Sequence, residues 1–257
     1  MKKVPLRELI RSGQPTLGSW ITLGHPGIAE IMANAGFDWL AVDLEHSVIA
    51  IDTAGDLIRV IDLCGVAPLV RLTSNLPDQI KRVMDAGAQG IIVPMVNSAM
   101  DAQQAVASVR YAPSGNRGVG LARAQGYGPR FQEYLAWQRD SAVVVVMIEH
   151  KDAIRNLRDI LAVPGVDAFF IGPYDLSCSL GFPGQFEHSE FLAAMAEILR
   201  IGADSGVMAG IHVVEPDLER LQISLAEGYR FIAYSVDIRI LDIGARQGVN
   251  FTRGIKA

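Results

Sequence analysis

Short apolar, β-branched runs alternate along the chain with longer stretches whose apolar residues recur every three or four positions. The first pattern predicts strands and the second predicts amphipathic helices. Strands are expected at Thr16–Ile21, Trp39–Asp43, Pro68–Arg71, Gly90–Pro94, Val143–Glu149, Ala168–Ile171, Ala209–His212 and Phe231–Tyr234. Helices are expected between them at Ile28–Ala35, Thr53–Leu63, Pro77–Ala86, Ala99–Arg110, Ala153–Leu161, Ser189–Ser205, Glu215–Ala226 and Val236–Gly248. The run from Val143 to Ile148 has no polar alternation, as expected of a parallel strand covered on both faces. Several helical stretches stop at glycine, as in Ala35-Gly36, Ala86-Gly87, Ser205-Gly206 and Glu227-Gly228, where glycine supplies a left-handed cap. NAGFDWLAVD, DAGAQGIIVP and AEGYRFIAYS repeat one helix–glycine–strand unit. Eight such units in 257 residues predict one TIM (β/α)8 barrel domain spanning residues 1–257. An open doubly wound sheet is the competing architecture, but no GxGxxG opens the first helix.

Composition narrows the function classes. Half the residues are hydrophobic and the formal net charge is −5, which excludes a disordered chain and gives no basic stripe for nucleic acid. The longest apolar run, Ala142–Ile148, is too short to cross a bilayer, and Met1–Gly13 carries no apolar signal core. A soluble, cytoplasmic protein that binds neither membrane nor nucleic acid is expected. Cys64 and Cys178 stand alone, without the spacing of a zinc or redox motif. The five lysines are Lys2, Lys3, Lys81, Lys151 and Lys256, none inside an expected strand. Imine catalysis by a barrel lysine is therefore disfavoured.

In a TIM barrel the chemistry sits where strands end. The expected strands end in Asp43-Leu44-Glu45-His46, Arg71, Pro94, Glu149-His150, Gly172-Pro173-Tyr174-Asp175 and His212. Glu149 and Asp175 close consecutive strands, so both carboxylates can reach one point and suit a hard divalent cation; helix caps or ion pairs are the structural alternative. Arg71 could fork onto a substrate carboxylate, or pair with Asp43, Glu45 or Glu149. Asp43 and His46 are three positions apart and could form an acid/base pair. Glycine at Gly172 permits close approach of the backbone to a ligand. Of the other histidines, His212 is best placed to line the mouth. The segments after the seventh and eighth strands lack the glycines of a phosphate loop.

Taken in order, GSW at Gly18–Trp20, DLEH at Asp43–His46, VR at Val70–Arg71, VPMV at Val93–Val96, IE at Ile148–Glu149 and IGPYDLSCSLG at Ile171–Gly181 resemble the metal-dependent pyruvate aldolases. That family comprises the 4-hydroxy-2-oxoheptanedioate and 2-dehydro-3-deoxyglucarate aldolases, and the resemblance runs from about Leu17 to Gly244. It implies a barrel of the phosphoenolpyruvate/pyruvate superfamily, assembled as a homohexamer with the last helix exchanged between neighbours. It implies that Glu149 and Asp175 bind Mg²⁺, Mn²⁺ or Co²⁺ and that Arg71 contacts the pyruvyl group. His46, paired with Asp43, would do acid/base work, and Asp85 would reach a neighbouring subunit's site. The amides around Gly172, Pro173 and Tyr174 would cradle the pyruvate carboxylate, with Trp20 and Arg123 lining the mouth. Met147 departs from the family, which usually carries glutamine there. The activity implied is reversible cleavage of 4-hydroxy-2-keto acids to pyruvate and an aldehyde. Oxaloacetate decarboxylation, or another condensation of the same enolate, is the alternative reaction, and a catalytically silent binding barrel is the alternative class. Aldehyde specificity is expected to reside in the loops Ser47–Ile51, Tyr111–Gly128 and Leu180–Glu187.

Overall fold

The computed structural model describes residues 4–254. Eight strands form a closed parallel barrel in chain order: β1 Thr16–Ile21, β2 Trp39–Asp43, β3 Ala67–Arg71, β4 Gly90–Val93, β5 Val143–Ile148, β6 Ala168–Ile171, β7 Met208–Val213 and β8 Phe231–Val236. β8 pairs back onto β1, with an irregularity between Gly18 and Trp20. The TIM barrel expected from the pattern is thus present, and each strand lies within two residues of its expected ends.

Side chains alternate across a strand, so each strand sorts its residues onto two faces. In β5, Val144, Val146 and Ile148 face the helices, while Val143, Val145 and Met147 fill the barrel. Both faces are apolar, which is why the sequence shows no alternation there. Inside the barrel, Trp39 of β2 stacks on Phe231 of β8 with ring centroids 4.3 Å apart. Gly18 makes room for it, since a Cβ there would lie 2.0 Å from the Trp39 ring.

The surrounding helices are α1 Leu6–Arg11, α2 Pro26–Asn34, α3 Ile51–Leu63, α4 Pro77–Asp85, α5 Ala99–Val109, α6 Phe131–Asp140, α7 Lys151–Arg155, α8 Leu157–Leu161, α9 Pro173–Leu180, α10 Ser189–Ser205, α11 Leu218–Ala226 and α12 Asp237–Arg253. α1 and α9 are not among the expected helices, and α6 also lies outside them, between the fourth expected helix and the fifth strand. Leu6 and Ile10 of α1 join the interior cluster and plug the N-terminal end of the barrel. Its Arg7 is buried, ion-paired to Asp167 at 2.6 Å, and donates to the Arg139 carbonyl. One expected helix, Ala153–Leu161, is two short ones, α7 and α8, meeting at Asn156. No helix among the described residues is long and apolar enough to cross a membrane.

Candidate active site

The alternation that fills the barrel also builds its mouth. The inward column Trp39–Ala41 ends in Asp43, Ala67–Leu69 ends in Arg71, and Val143–Val145–Met147 ends in Glu149. Likewise Ala168–Phe170 leads to Gly172, and Met208–Gly210 leads to His212. One functional group therefore caps each of these columns at the C-terminal end.

Asp43, 1% exposed, forks onto Arg71 through Nε–Oδ1 at 2.8 Å and Nη2–Oδ2 at 2.6 Å. Its Oδ1 also accepts the backbone N–H groups of Glu45 and His46. Burial alone would raise its pKa, but the Arg71 fork and these two amides hold it below the ordinary carboxylate value. The Arg71 guanidinium lies 4.4 Å above the Trp20 ring, which is buried and packs edge-on against Phe170.

The expected Asp43–His46 side-chain pair does not form. Asp43 spends its acceptors on Arg71 and on the backbone of the turn, and that turn carries the His46 ring outward, 64% exposed. The carboxylate nearest the imidazole is Glu45, with Oε2 3.8 Å from His46 Nε2 and 3.5 Å from Arg71 Nε.

Glu149 is 4% exposed, and its Oε2 accepts the Met95 N–H at 2.9 Å. Met95 adopts φ 53°, a left-handed conformation that carried no sequence signal. Burial, then the negative charges of Glu45 and Asp175, push the Glu149 pKa up to about 7 against the Met95 amide and Arg71. Burial, Asp43 and Asp175 push Glu45 up to about 6 against Arg71. Asp175 sits in the first turn of α9, whose N-cap is Gly172, so it is not itself the cap. A Cβ on Gly172 would meet Glu149 Oε1 at 2.6 Å, so only glycine lets β6 pass this close.

Two carboxylates, Glu45 and Glu149, are both pushed up in part by the negative charge of Asp175, and a cation at this mouth would offset that charge. Among the described residues, no three His, Cys, Asp or Glu side chains converge tightly enough to hold an ion by themselves. Glu149 and Asp175 could hold a hard cation only with further oxygens supplied by water or substrate. At the start of α9 the Gly172 N–H donates to the Ile148 carbonyl and Pro173 has none. The open donors of the expected cradle are therefore the Tyr174 and Asp175 amides, aimed with the helix N-terminus. The Tyr174 ring packs edge-on against Phe186, 4.9 Å away.

Asp85 and Arg123 lie elsewhere. Arg123 pairs with Asp62 at 2.5 Å and donates to the Ala86 carbonyl, both at helix C-terminal ends. Asp85, the last residue of α4, is 3.3 Å from Arg117, a buried cation also bonded to the Tyr111 and Tyr134 hydroxyls. Burial raises its pKa against Arg117 and Lys81. In a βα barrel, helices run back from the mouth, so these ends belong to the opposite face. The segment Tyr111–Gly128 follows α5 and is a helix-to-strand connection, so it cannot line this chain's own mouth as expected. Cavities of about 500 and 830 Å³ open beside Arg7 and Arg123; neither is lined by Glu149 or Arg71.

Fold and site together define a TIM-barrel enzyme with a carboxylate-rich, arginine-backed mouth. Residues 16–242 match the model of the HpcH/HpaI aldolase/citrate lyase family. The chain is 40% identical over 246 residues to the 4-hydroxy-2-oxo-heptane-1,7-dioate aldolase of Salmonella typhimurium LT2, covering 95% of this chain and 92% of that protein. Its fold matches an HpcH/HpaI aldolase/citrate lyase family protein of Burkholderia cenocepacia J2315, at TM-score 0.91 and 34% identity over 96% and 98% of the two chains. It equally matches the HpcH/HpaI aldolase of Desulfitobacterium hafniense DCB-2, at TM-score 0.91 and 30% identity over 99% of each. The chain belongs to the HpcH/HpaI aldolase/citrate lyase family, and it is a lyase of the aldolase type.

Proposed function

We propose that the chain is a divalent-metal-dependent aldolase that cleaves 4-hydroxy-2-keto acids to pyruvate and an aldehyde and runs the reverse addition. The observation that carries this is the shared mouth of Glu149, Asp175 and Arg71, with the two carboxylates electrostatically coupled, in a chain 40% identical to an aldolase of such an acid. Glu149 and Asp175 would hold Mg²⁺, Mn²⁺ or Co²⁺, which when bound supplies the Lewis acid that stabilises enolate charge as the carbon–carbon bond breaks. The Tyr174 and Asp175 amides bind the substrate carboxylate at the α9 N-terminus. Arg71, already fixed by Asp43 and Trp20, presents positive charge to the developing oxyanion without reorganising. His46 takes the 4-hydroxyl proton in cleavage and returns it to the carbonyl oxygen in addition, with Glu45 as its nearest carboxylate. Met147, 2% exposed and directly below Glu149 in its column, makes the floor apolar.

Metal-stripped protein given pyruvate and a panel of aldehydes should form aldol product only when Mg²⁺, Mn²⁺ or Co²⁺ is returned. Absence of metal-dependent product would sink the proposal, and oxaloacetate turnover without aldol product would favour decarboxylation. Glu149 must lose its proton to take a cation. Apparent metal affinity should therefore fall roughly tenfold per pH unit below about 7 and level off above it. Calorimetry in buffers of different ionisation enthalpy reads the released proton directly.

The assembly is proposed to be a homohexamer built through α12. This helix packs on the barrel mainly through its start, where Asp237 accepts the Thr22 and Leu23 amides. Further along it exposes Leu241, Val249 and Phe251, the last 88% exposed. Large apolar side chains left exposed along a 17-residue helix support a partner there. Leu241→Asp combined with Phe251→Asp should shift the sedimenting species toward monomer; an unchanged sedimentation coefficient would rule out this interface.

A further inference from the structure

We propose that His212 reads a neutral hydroxyl group on the aldehyde half of the substrate through its Nδ1 atom; the inference rests on the aldolase function above. His212 Nε2 lies 3.0 Å from the Ser235 carbonyl oxygen. A carbonyl oxygen only accepts, so Nε2 carries the hydrogen and Nδ1 is left with a lone pair. No donor among the described residues reaches Nδ1.

The ring stands at the heart of the mouth. Ile171 pairs with Ile211, so His212 is level with Gly172, the residue packed against Glu149. Its ring centroid is 5.9 Å from that of Trp20, whose face carries the Arg71 guanidinium. Burial, with help from the Arg71 charge, lowers the pKa to about 4 against the Ser235 bond and Asp43, so the ring stays neutral at working pH. A cationic donor at Nδ1 would be repelled by Arg71, and a carboxylate would meet the lone pair. A hydroxyl suffers neither cost. The substrate class this selects is a hydroxylated aldehyde, with glycolaldehyde or glyceraldehyde preferred over aldehydes lacking that group.

The test measures kcat/KM for pyruvate addition to matched pairs, glycolaldehyde against acetaldehyde and glyceraldehyde against propanal. It uses wild type, His212→Leu and His212→Gln. Comparing ratios between variants cancels the intrinsic reactivity of each aldehyde. His212→Leu should reduce the preference for the hydroxylated partner by roughly tenfold or more. His212→Gln can still donate to Ser235 and offer an acceptor, so it should retain the preference. Metal-dependent exchange of the pyruvate methyl protons in D₂O, which needs no aldehyde, is followed in parallel. Exchange intact with an unchanged ratio in His212→Leu overturns the inference alone. Exchange absent in wild type overturns the aldolase function and the inference with it. Nitrogen-15 spectra of the histidines should show His212 as the neutral Nε2–H form between pH 5.5 and 8, and an Nδ1–H form would also overturn it.

Discussion

Glu149→Gln should abolish metal-dependent turnover, by roughly 10³-fold or more, and at the same time stabilise the metal-free protein at pH 8. The first effect follows from removing a charged ligand whose cation supplies several kcal/mol of transition-state stabilisation. The second follows from the sign of the pKa shift. Glu149 is held at about 7, well above the ordinary 4.5. The folded state therefore grips the proton more tightly than the unfolded chain does. That contribution to stability is fully present below pH 4.5 and is lost as pH rises through 7. Above pH 7 the metal-free fold carries a desolvated carboxylate beside Glu45 and Asp175. Glutamine keeps an acceptor for the Met95 amide and removes the charge. A gain on the order of 1–3 kcal/mol is expected at pH 8, vanishing near pH 5. Thermal melts of both proteins after chelation, at the two pH values, check it. A variant that lost stability at pH 8 would show that the Glu149 charge does not burden the metal-free fold.

The fold was legible because its strands obey one rule repeated eight times. Most of the buried parallel strands read as near-continuous apolar runs, and several helices end beside a glycine that turns the chain back, as at Gly36, Gly87, Gly206 and Gly228. What escaped was structure without its own apolar period. α1 has six residues, and its Leu6 and Ile10 matter only because a barrel end needs a plug. α9 follows β6 directly, and Gly172-Pro173 reads equally as a tight turn or as a helix start with proline in its first turn.

The strand-end residues were legible by the same period of two that placed Asp43, Arg71 and Glu149 inward. Their partners were not. Whether Asp43 would serve Arg71 or His46 depended on the turn geometry at Leu44–Ser47, which spacing alone does not express. The left-handed Met95 that brings an amide to Glu149 is set by a loop held from two strands. The stretch Tyr111–Gly128 lies at the face opposite the one expected of it, because it follows a helix rather than a strand.

Arg71→Met should be the most damaging single change, since it affects both stability and catalysis. Asp43 is 1% exposed and, among the described residues, pairs with no other side-chain cation. Removing the guanidinium strands a buried carboxylate, which costs about 3–5 kcal/mol. It also removes the fixed charge facing the oxyanion, worth roughly 10²–10³-fold in kcat. The two losses separate in the double variant Asp43→Asn with Arg71→Met. Asparagine keeps an oxygen for the Glu45 and His46 amides but no charge, so most of the stability should return while activity stays low. The pH dependence changes sign as well. In wild type, Arg71 and the two amides lower the Asp43 pKa, so its contribution is present above pH 3.8 and lost as pH falls through the lowered value. Without Arg71 the burial effect dominates, and Arg71→Met should instead lose stability as pH rises toward neutrality. Urea titrations at pH 5 and pH 8 read this directly. If Arg71→Met were no less stable than the double variant at pH 8, the fork would be incidental, and Asp43 would have to be held by its turn alone.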